Sequence, residues 1–242
     1  ALFANQNSVE HPIRDLNTNG FGTLRLLEKA VNSSVRRFIF SSSSCVYGEI
    51  SDVMSEDMPN LPDTPYAITK LLGEQYSQFF SKHNGLSTTV VRYFNSFGPG
   101  EYAGRFRNVV PNFFDLAAKG MTLPITGTGL ETRDFTFVED IVKGTLLASV
   151  VASADGEIIN LGTGRSTQIS NLAEKINQIT GNQAGTKIIP RRTWDKVSHR
   201  RACINKARDL LGYEPMIGLD EGLRCYWSWY RRVGDRHRMS VG

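Results

Sequence analysis

The sequence predicts an α/β fold: a doubly wound parallel sheet followed by a smaller mixed lobe. Three observations predict it. Helical and strand-like patterns alternate from the first residues onward. The segments Val35–Phe40 and Ser87–Tyr93 are short and rich in β-branched or aromatic residues. Helix-length amphipathic stretches separate them, as crossovers between parallel strands buried on both faces require.

Taken in order, Leu16 to Ala30 reads as an amphipathic helix, with apolar residues at Leu24 and Leu27 and then Val31. It leads into a strand over Val35–Phe40 that ends in four serines. Pro65–His83 is the next helix. Thr64 is placed to cap it, Pro65 presets its first φ, and Asn84-Gly85 stops it. Ser87–Tyr93 follows as a second buried strand. After Asn95 the elements shorten. A loop over Ser96–Gly100 precedes a helix Val109–Lys119, an extended Asp134–Phe137 and a helix Val138–Val151. Then come a strand Glu157–Leu161, a helix Ser170–Thr180, an extended Lys187–Pro190, and helices Asn205–Leu211 and Leu219–Arg232. This divides the chain into 1–95, which carries the sheet, and 96–242, mainly a second lobe with some segments returning to the sheet.

Size and composition bound the function. A chain of 242 residues, 40% hydrophobic and 21% charged, is ordinary for one large globular domain or a domain with a lobe. It holds no apolar run long enough to span a membrane and no signal-peptide pattern. Cys45, Cys203 and Cys225 are odd in number and form no Cys-x-x-Cys pair, so neither disulfides nor metal are expected and a reducing cytoplasm is. Part of the net charge of +4 sits in Arg231, Arg232, Arg236 and Arg238, read as a solvated tail. Aromatic–basic interleaving is missing, which argues against nucleic acid. A mild positive field suits an anionic small substrate.

The chemistry concentrates in Tyr66-Ala67-Ile68-Thr69-Lys70. Residues i and i+4 share a helix face, so phenol and ammonium point into one space. A phenol with pKa about 10 is a poor base at neutral pH, and a neighbouring cation is the kind of group that lowers it. Upstream, Ser41 to Ser44 deliver hydroxyls at the C-terminal end of a buried strand, where open α/β sheets bind ligands.

Six ordered motifs carry a resemblance over nearly the whole chain: Asn19-Gly20-Phe21-Gly22-Thr23; Ser41 to Gly48 with Tyr66 to Lys70; Arg92-Tyr93-Phe94-Asn95; Gly127-Thr128-Gly129 with Thr132 to Phe135; Asn160 to Gly164; and Lys206-Ala207 with Leu211 to Pro215. In these the chain resembles the extended short-chain dehydrogenases/reductases, specifically the nucleotide-sugar epimerases and dehydratases, with their Rossmann-like sheet and C-terminal substrate lobe. The resemblance implies NAD as cofactor and a nucleotide sugar, most simply a UDP-sugar, as substrate. It makes Tyr66 the base, Lys70 the group that holds the nicotinamide ribose and tunes Tyr66, and Ser43 the partner of the sugar hydroxyl. It puts Asn19 beneath the lysine, whereas the residues alone also allow a helix cap. Phe94 is expected at the nicotinamide; Asn95, Asn108, Arg133 and Arg192 at the diphosphate; and Asp195 at the ribose. His199 or Arg200 takes the position that gates sugar size, and Cys203 stands where many relatives have Asp. Homodimers packing Leu16–Val31 and Pro65–His83 are expected.

Members of this family begin alike, by oxidising the sugar at C4. Dehydratases then use an acidic pair directly after the active-site Ser/Thr, and UDP-glucuronate decarboxylases a Glu two residues after it. Ser44 and Cys45 stand at those positions, which points to a 4-epimerase, with a dehydratase or decarboxylase as the alternative. The family's opening strand and G-x-x-G-x-x-G loop for the NAD pyrophosphate have no counterpart in these residues. The chain is therefore read as an inactive portion of an active epimerase, the other reading being a short form that only binds nucleotide sugar.

Overall fold

The computed structural model describes residues 2–49 and 53–239, the helical backbone alone over 234–239. The basic tail's Arg236 and Arg238 side chains fall outside this description. Two short helices, α1 (Asn5–Glu10) and α2 (Pro12–Asp15), lead through a π-helical turn over Leu16–Phe21 into α3 (Gly22–Val31). The helix read from Leu16 is thus the second half of a longer, interrupted helical run. Next come β1 (Phe38–Ser43), a 3₁₀ turn over Ser44–Tyr47, β2 (Val53–Met54), α4 (Pro65–Asn84), β3 (Thr88–Tyr93) and β4 (Ser96–Phe97). The second half holds α5 (Val109–Ala118), β5 (Leu123–Thr126), β6 (Thr132–Arg133), β7 (Thr136–Phe137), α6 (Val138–Val150), β8 (Ile158–Leu161) and β9 (Thr167–Gln168). It closes with α7 (Ile169–Thr180), β10 (Thr186–Ile189), β11 (Arg201–Ala202), α8 (Asn205–Leu211) and α9 (Leu219–Met239).

The central sheet is parallel, in the order β1-β3-β8, with Phe38 opposite Thr88 and Val90 opposite Ile158. β1 begins three residues later than its sequence pattern and takes in three of the serines. The reason is Arg37, whose guanidinium donates to Ser87 Oγ at 2.9 Å and to the carbonyls of Ala148 and Val151. That residue is a brace at the strand's entry rather than a strand residue.

Alternation along the strands puts helices on both faces. Phe40 and Ser42 meet α4, while Ile39 packs with the cluster that joins β3 and β8 to α6 and α8. The helix approaches so closely that a Cβ on Gly73 would lie 2.2 Å from Phe40 Cζ. Beneath it, Arg92 Nε and Nη2 donate to Glu74 Oε1 and Oε2 at 2.9 and 2.6 Å, and Ser42 Oγ donates to the same carboxylate. Both charged side chains are buried, and Arg92 stacks 4.7 Å from the Tyr47 ring centre. A buried charge alone costs several kcal/mol, so this bidentate pair fixes how α4 sits on the sheet.

Thr64 caps α4, accepting from Ala67 N at 3.3 Å, and Gly85 ends it at φ 67° in the left-handed region. The second lobe packs α5, α7 and α9 around Phe97, Phe113, Phe114, Ile125, Phe137 and Tyr226. From the same half of the chain, α6, β8 and α8 return to the sheet. Two glycine-rich segments bind carboxylates of the protein itself. Asp134 accepts from Thr163 N, Gly164 N and Ala202 N at 2.9, 2.9 and 3.1 Å, and Glu131 accepts from Thr128 N and Gly129 N at 3.1 and 2.9 Å. Among the described residues no helix is long and apolar enough to cross a membrane, and no His/Cys/Asp/Glu cluster fits a metal ion.

Candidate active site

A cleft of about 480 Å³ opens at the C-terminal ends of β1 and β3, between the sheet and the second lobe. β1 delivers Ser43 to its floor and the first turn of α4 delivers Tyr66, with Lys70 buried one turn further along the helix. The Ser43 hydroxyl lies on the same cleft wall as the Tyr66 phenol and accepts from Cys45 N at 3.2 Å. That helix turn is held from outside as well: Tyr66 N donates to Ser8 Oγ at 3.0 Å, and Thr64 Oγ1 donates to Asn5 Oδ1 at 3.0 Å.

Lys70 is buried. Its Nζ donates to Ser41 O at 2.7 Å and lies 5.6 Å from the Tyr66 ring centre. Burial lowers its pKa to about 8, opposed chiefly by the nearby carboxylates of Asp15 and Glu74. The Tyr66 phenol is pushed up, chiefly by burial, with the neighbouring Ser43 hydroxyl acting in the opposite sense. The Lys70 ammonium faces the Tyr66 ring, while burial dominates the phenol's surroundings in this chain alone.

Asn19 is neither a helix cap nor bonded to Lys70. It lies within the π-helical turn, buried, accepting from Leu2 N at 2.7 Å and donating to Leu2 O and Asp15 Oδ1 at 2.8 Å. Asp15 in turn accepts from Thr69 Oγ1 at 2.6 Å, so the pair braces α4 between Tyr66 and Lys70. Phe94 also departs from expectation: it is fully buried against Val46, Tyr47, Met54 and Ile204, while Tyr93 lines the cleft.

The expected diphosphate and ribose ligands do line the cleft together. Asn95 sits there in the left-handed region, φ 24°, with a buried Oδ1 that has no partner. Such strain persists at ligand sites where the surroundings impose it. Asn108 immediately precedes α5 and donates to Glu101 Oε1 at 3.0 Å. Arg133 uses both Nη atoms on the carbonyls of Thr132, Val197 and Ser198, and burial together with the Arg200 charge lowers its pKa to about 10. Arg192 is exposed and lies over the Trp194 ring, and Asp195 N bonds back to Arg192 O. Of the two gate candidates, Arg200 lines the cleft, whereas His199 is exposed on Thr132 Oγ1. Arg191 and Asp15 were not singled out by the motifs. A further arginine beside Arg192 was the one visible signal for the first.

Lys70 has no ion pair among the described residues, and beside Ser43 and Tyr66 its remaining N–H donors fit the ribose–nicotinamide end of NAD. The pyrophosphate end does not find the same support: the amides of Gly164 and Thr163, which follow β8, are already held by Asp134.

Fold and cleft together define a dehydrogenase-type α/β protein, with a Ser–Tyr–Lys set at the strand ends facing an arginine-lined pocket. The chain belongs to the NAD dependent epimerase/dehydratase family, whose family model matches residues 1–162. A curated relative, the UDP-N-acetyl-alpha-D-glucosaminuronate decarboxylase of Bacillus cytotoxicus, is 30% identical over 96% of this chain and 75% of its own length. Among solved structures, an epimerase from Methanothermobacter thermautotrophicus is similar at TM-score 0.95 and 46% identity, covering 99% of this chain and 72% of that one. The UDP-glucose 4-epimerase of Thermotoga maritima, solved with UDP-glucose, is similar at TM-score 0.92 and 36% identity over 96% and 75%.

Proposed function

We propose that this protein belongs to an enzyme that inverts the C4 hydroxyl of a UDP-sugar. The observation that carries the reading is that Ser43 and Tyr66 line the same cleft together, with Ser44 and Cys45, not carboxylates, directly after Ser43. In this reading Ser43 holds the C4 hydroxyl, and Tyr66 takes its proton and later returns it. NAD, when bound, supplies the hydride acceptor and donor. Lys70 holds the ribose diol and keeps a positive charge beside the phenol. Asn95, Asn108, Arg133 and Arg192 orient the diphosphate and Asp195 the ribose, with enough room for the keto-sugar to turn over. The similarity to a glucosaminuronate decarboxylase supports loss of CO₂ as the second reading.

The test is product analysis of the NAD-loaded protein with UDP-glucose and UDP-glucuronate in D₂O. A C4 epimer without deuterium at C4 is expected, because the hydrogen returns internally. Carbon dioxide release assigns the decarboxylase instead, and binding without turnover assigns the binding-only form. Exposed Leu16, Phe21, Leu26, Ile68 and Phe79 on the two helical runs support a homodimer built as a four-helix bundle, which sedimentation at micromolar concentration checks. The three free cysteines fit a reducing cytoplasm.

A further inference from the structure

Arg200 lines the cleft beside Cys45, the turn residue that follows the serine run. It is 7% exposed, and among the described residues it forms no ion pair. Its Nε is buried without a partner, and Nη1 donates at 3.4 Å to Cys45 Sγ, a weak acceptor. Arginine's charge does not leave at any ordinary pH, so a buried guanidinium in this state lacks a counter-charge. Its surroundings add to the deficit, since Arg133 lies close enough for the two charges to repel. Asp63 feels the Arg200 charge, but it is exposed and not in ion-pair contact.

The backbone sets this side chain's direction. Arg200 N donates to Thr132 O at 3.2 Å, and Arg201-Ala202 pairs with Val53-Met54 in parallel. Along an extended segment side chains alternate, so exposed Arg201 leaves Arg200 and Ala202 on the inner side. Cys45, the group Arg200 touches, is two residues beyond Ser43 in the turn that closes β1.

We infer that Arg200 selects for a sugar carrying a carboxylate at C6, so that the preferred substrate is a UDP-uronate rather than a neutral UDP-hexose. This rests on the C4 chemistry proposed above. If Ser43 and Tyr66 hold the C4 hydroxyl, the C6 carboxylate hangs from the neighbouring ring carbon. It then approaches the guanidinium that touches Cys45, exchanging a thiol contact for a charge-assisted one. The diphosphate is the competing source of negative charge, and it has Arg192 and Asn108 in the same cleft.

Calorimetric titration of the protein and of Arg200→Gln with UDP-glucuronate, UDP-glucose and UDP separates these cases. The protein is expected to bind UDP-glucuronate at least about tenfold more tightly than UDP-glucose. The glutamine variant is expected to lose that preference while its affinity for UDP-glucose and UDP stays within about twofold. Equal affinity of the unaltered protein for both sugars overturns the inference, as does a glutamine variant that weakens all three ligands alike, which assigns Arg200 to the diphosphate. Should Arg200→Gln not fold, Arg200→Lys keeps the charge and is expected to retain part of the preference; loss of all discrimination there also overturns it. Binding is read without turnover, so failure of the epimerase reading appears separately, in the product analysis.

Discussion

The wall of the cleft formed by β1 and α4 closes most of its polar side chains on one another, whereas the wall formed by residues 191–200 leaves cleft-lining arginines with donors unpartnered. On the first wall Ser43 stands beside Tyr66, Lys70 meets Ser41 O, and Ser42 and Arg92 meet Glu74, with Arg92 Nη1 the donor left over. On the second, Arg191 Nη2 and Arg200 Nε are buried and unpartnered. Groups that move protons must be held in position before the substrate arrives. Groups that recognise an anion lose affinity if the protein satisfies them first. Removing a residue from the first wall is therefore expected to damage catalysis or folding, and from the second, ligand affinity.

The largest expected effect is on the first wall. Tyr66→Phe in the NAD-loaded protein removes the proposed base and lowers kcat by about 10²–10⁴-fold with folding intact. Near-normal kcat in a folded variant breaks the assignment. Glu74→Ala leaves Arg92 buried and unpaired, at a cost of about 3–5 kcal/mol in urea unfolding. A change below about 1 kcal/mol would show that the sheet, not the ion pair, seats α4.

A third expectation concerns pH. Lys70 titrates near 8 in the folded chain and at 10.5 ordinarily. Between these values the unfolded chain holds a proton that the folded chain has lost, so stability rises with pH from about 8 to 10, by up to about 3 kcal/mol. Above pH 10 the raised Tyr66 phenol acts in the opposite sense, because the folded chain keeps a proton the unfolded chain releases. Lys70→Met is expected to flatten the rise in urea midpoints measured across that window. The smallest effect belongs to the second wall. Arg191→Gln should weaken UDP binding about tenfold while leaving the urea midpoint nearly unchanged. A large loss of stability there would erase the contrast between the walls.

Much of the first wall was legible in the sequence, because its signals are local. Tyr66 and Lys70 are one helical turn apart, Thr64-Pro65 and Gly85 bound their helix, and a run of serines follows a strand. Nothing local announces that Glu74 receives Arg92, that Asp134 and Glu131 hold the amides of two Gly-Thr-Gly runs, or that Asp15 reaches Thr69. Each of these contacts joins a side chain to a partner that only packing brings near. Phe94 shows the same limit within a single motif, since alternation sets which neighbour faces out but not which face the cleft occupies.

By itself the sequence determined the α/β class, the order of its main elements and the shared helix face of Tyr66 and Lys70 near a strand-end run of serines, because periodicities of 2 and 3.6 residues and strand-end placement are local properties of the chain; the choice of Ser43 came from the resemblance. Only the tertiary structure decided that burial raises the Tyr66 phenol and lowers Lys70, and that Arg200 rather than His199 enters the cleft without a counter-charge. Solvation and electrostatics depend on every group that surrounds a side chain, and those groups come from segments far apart in sequence.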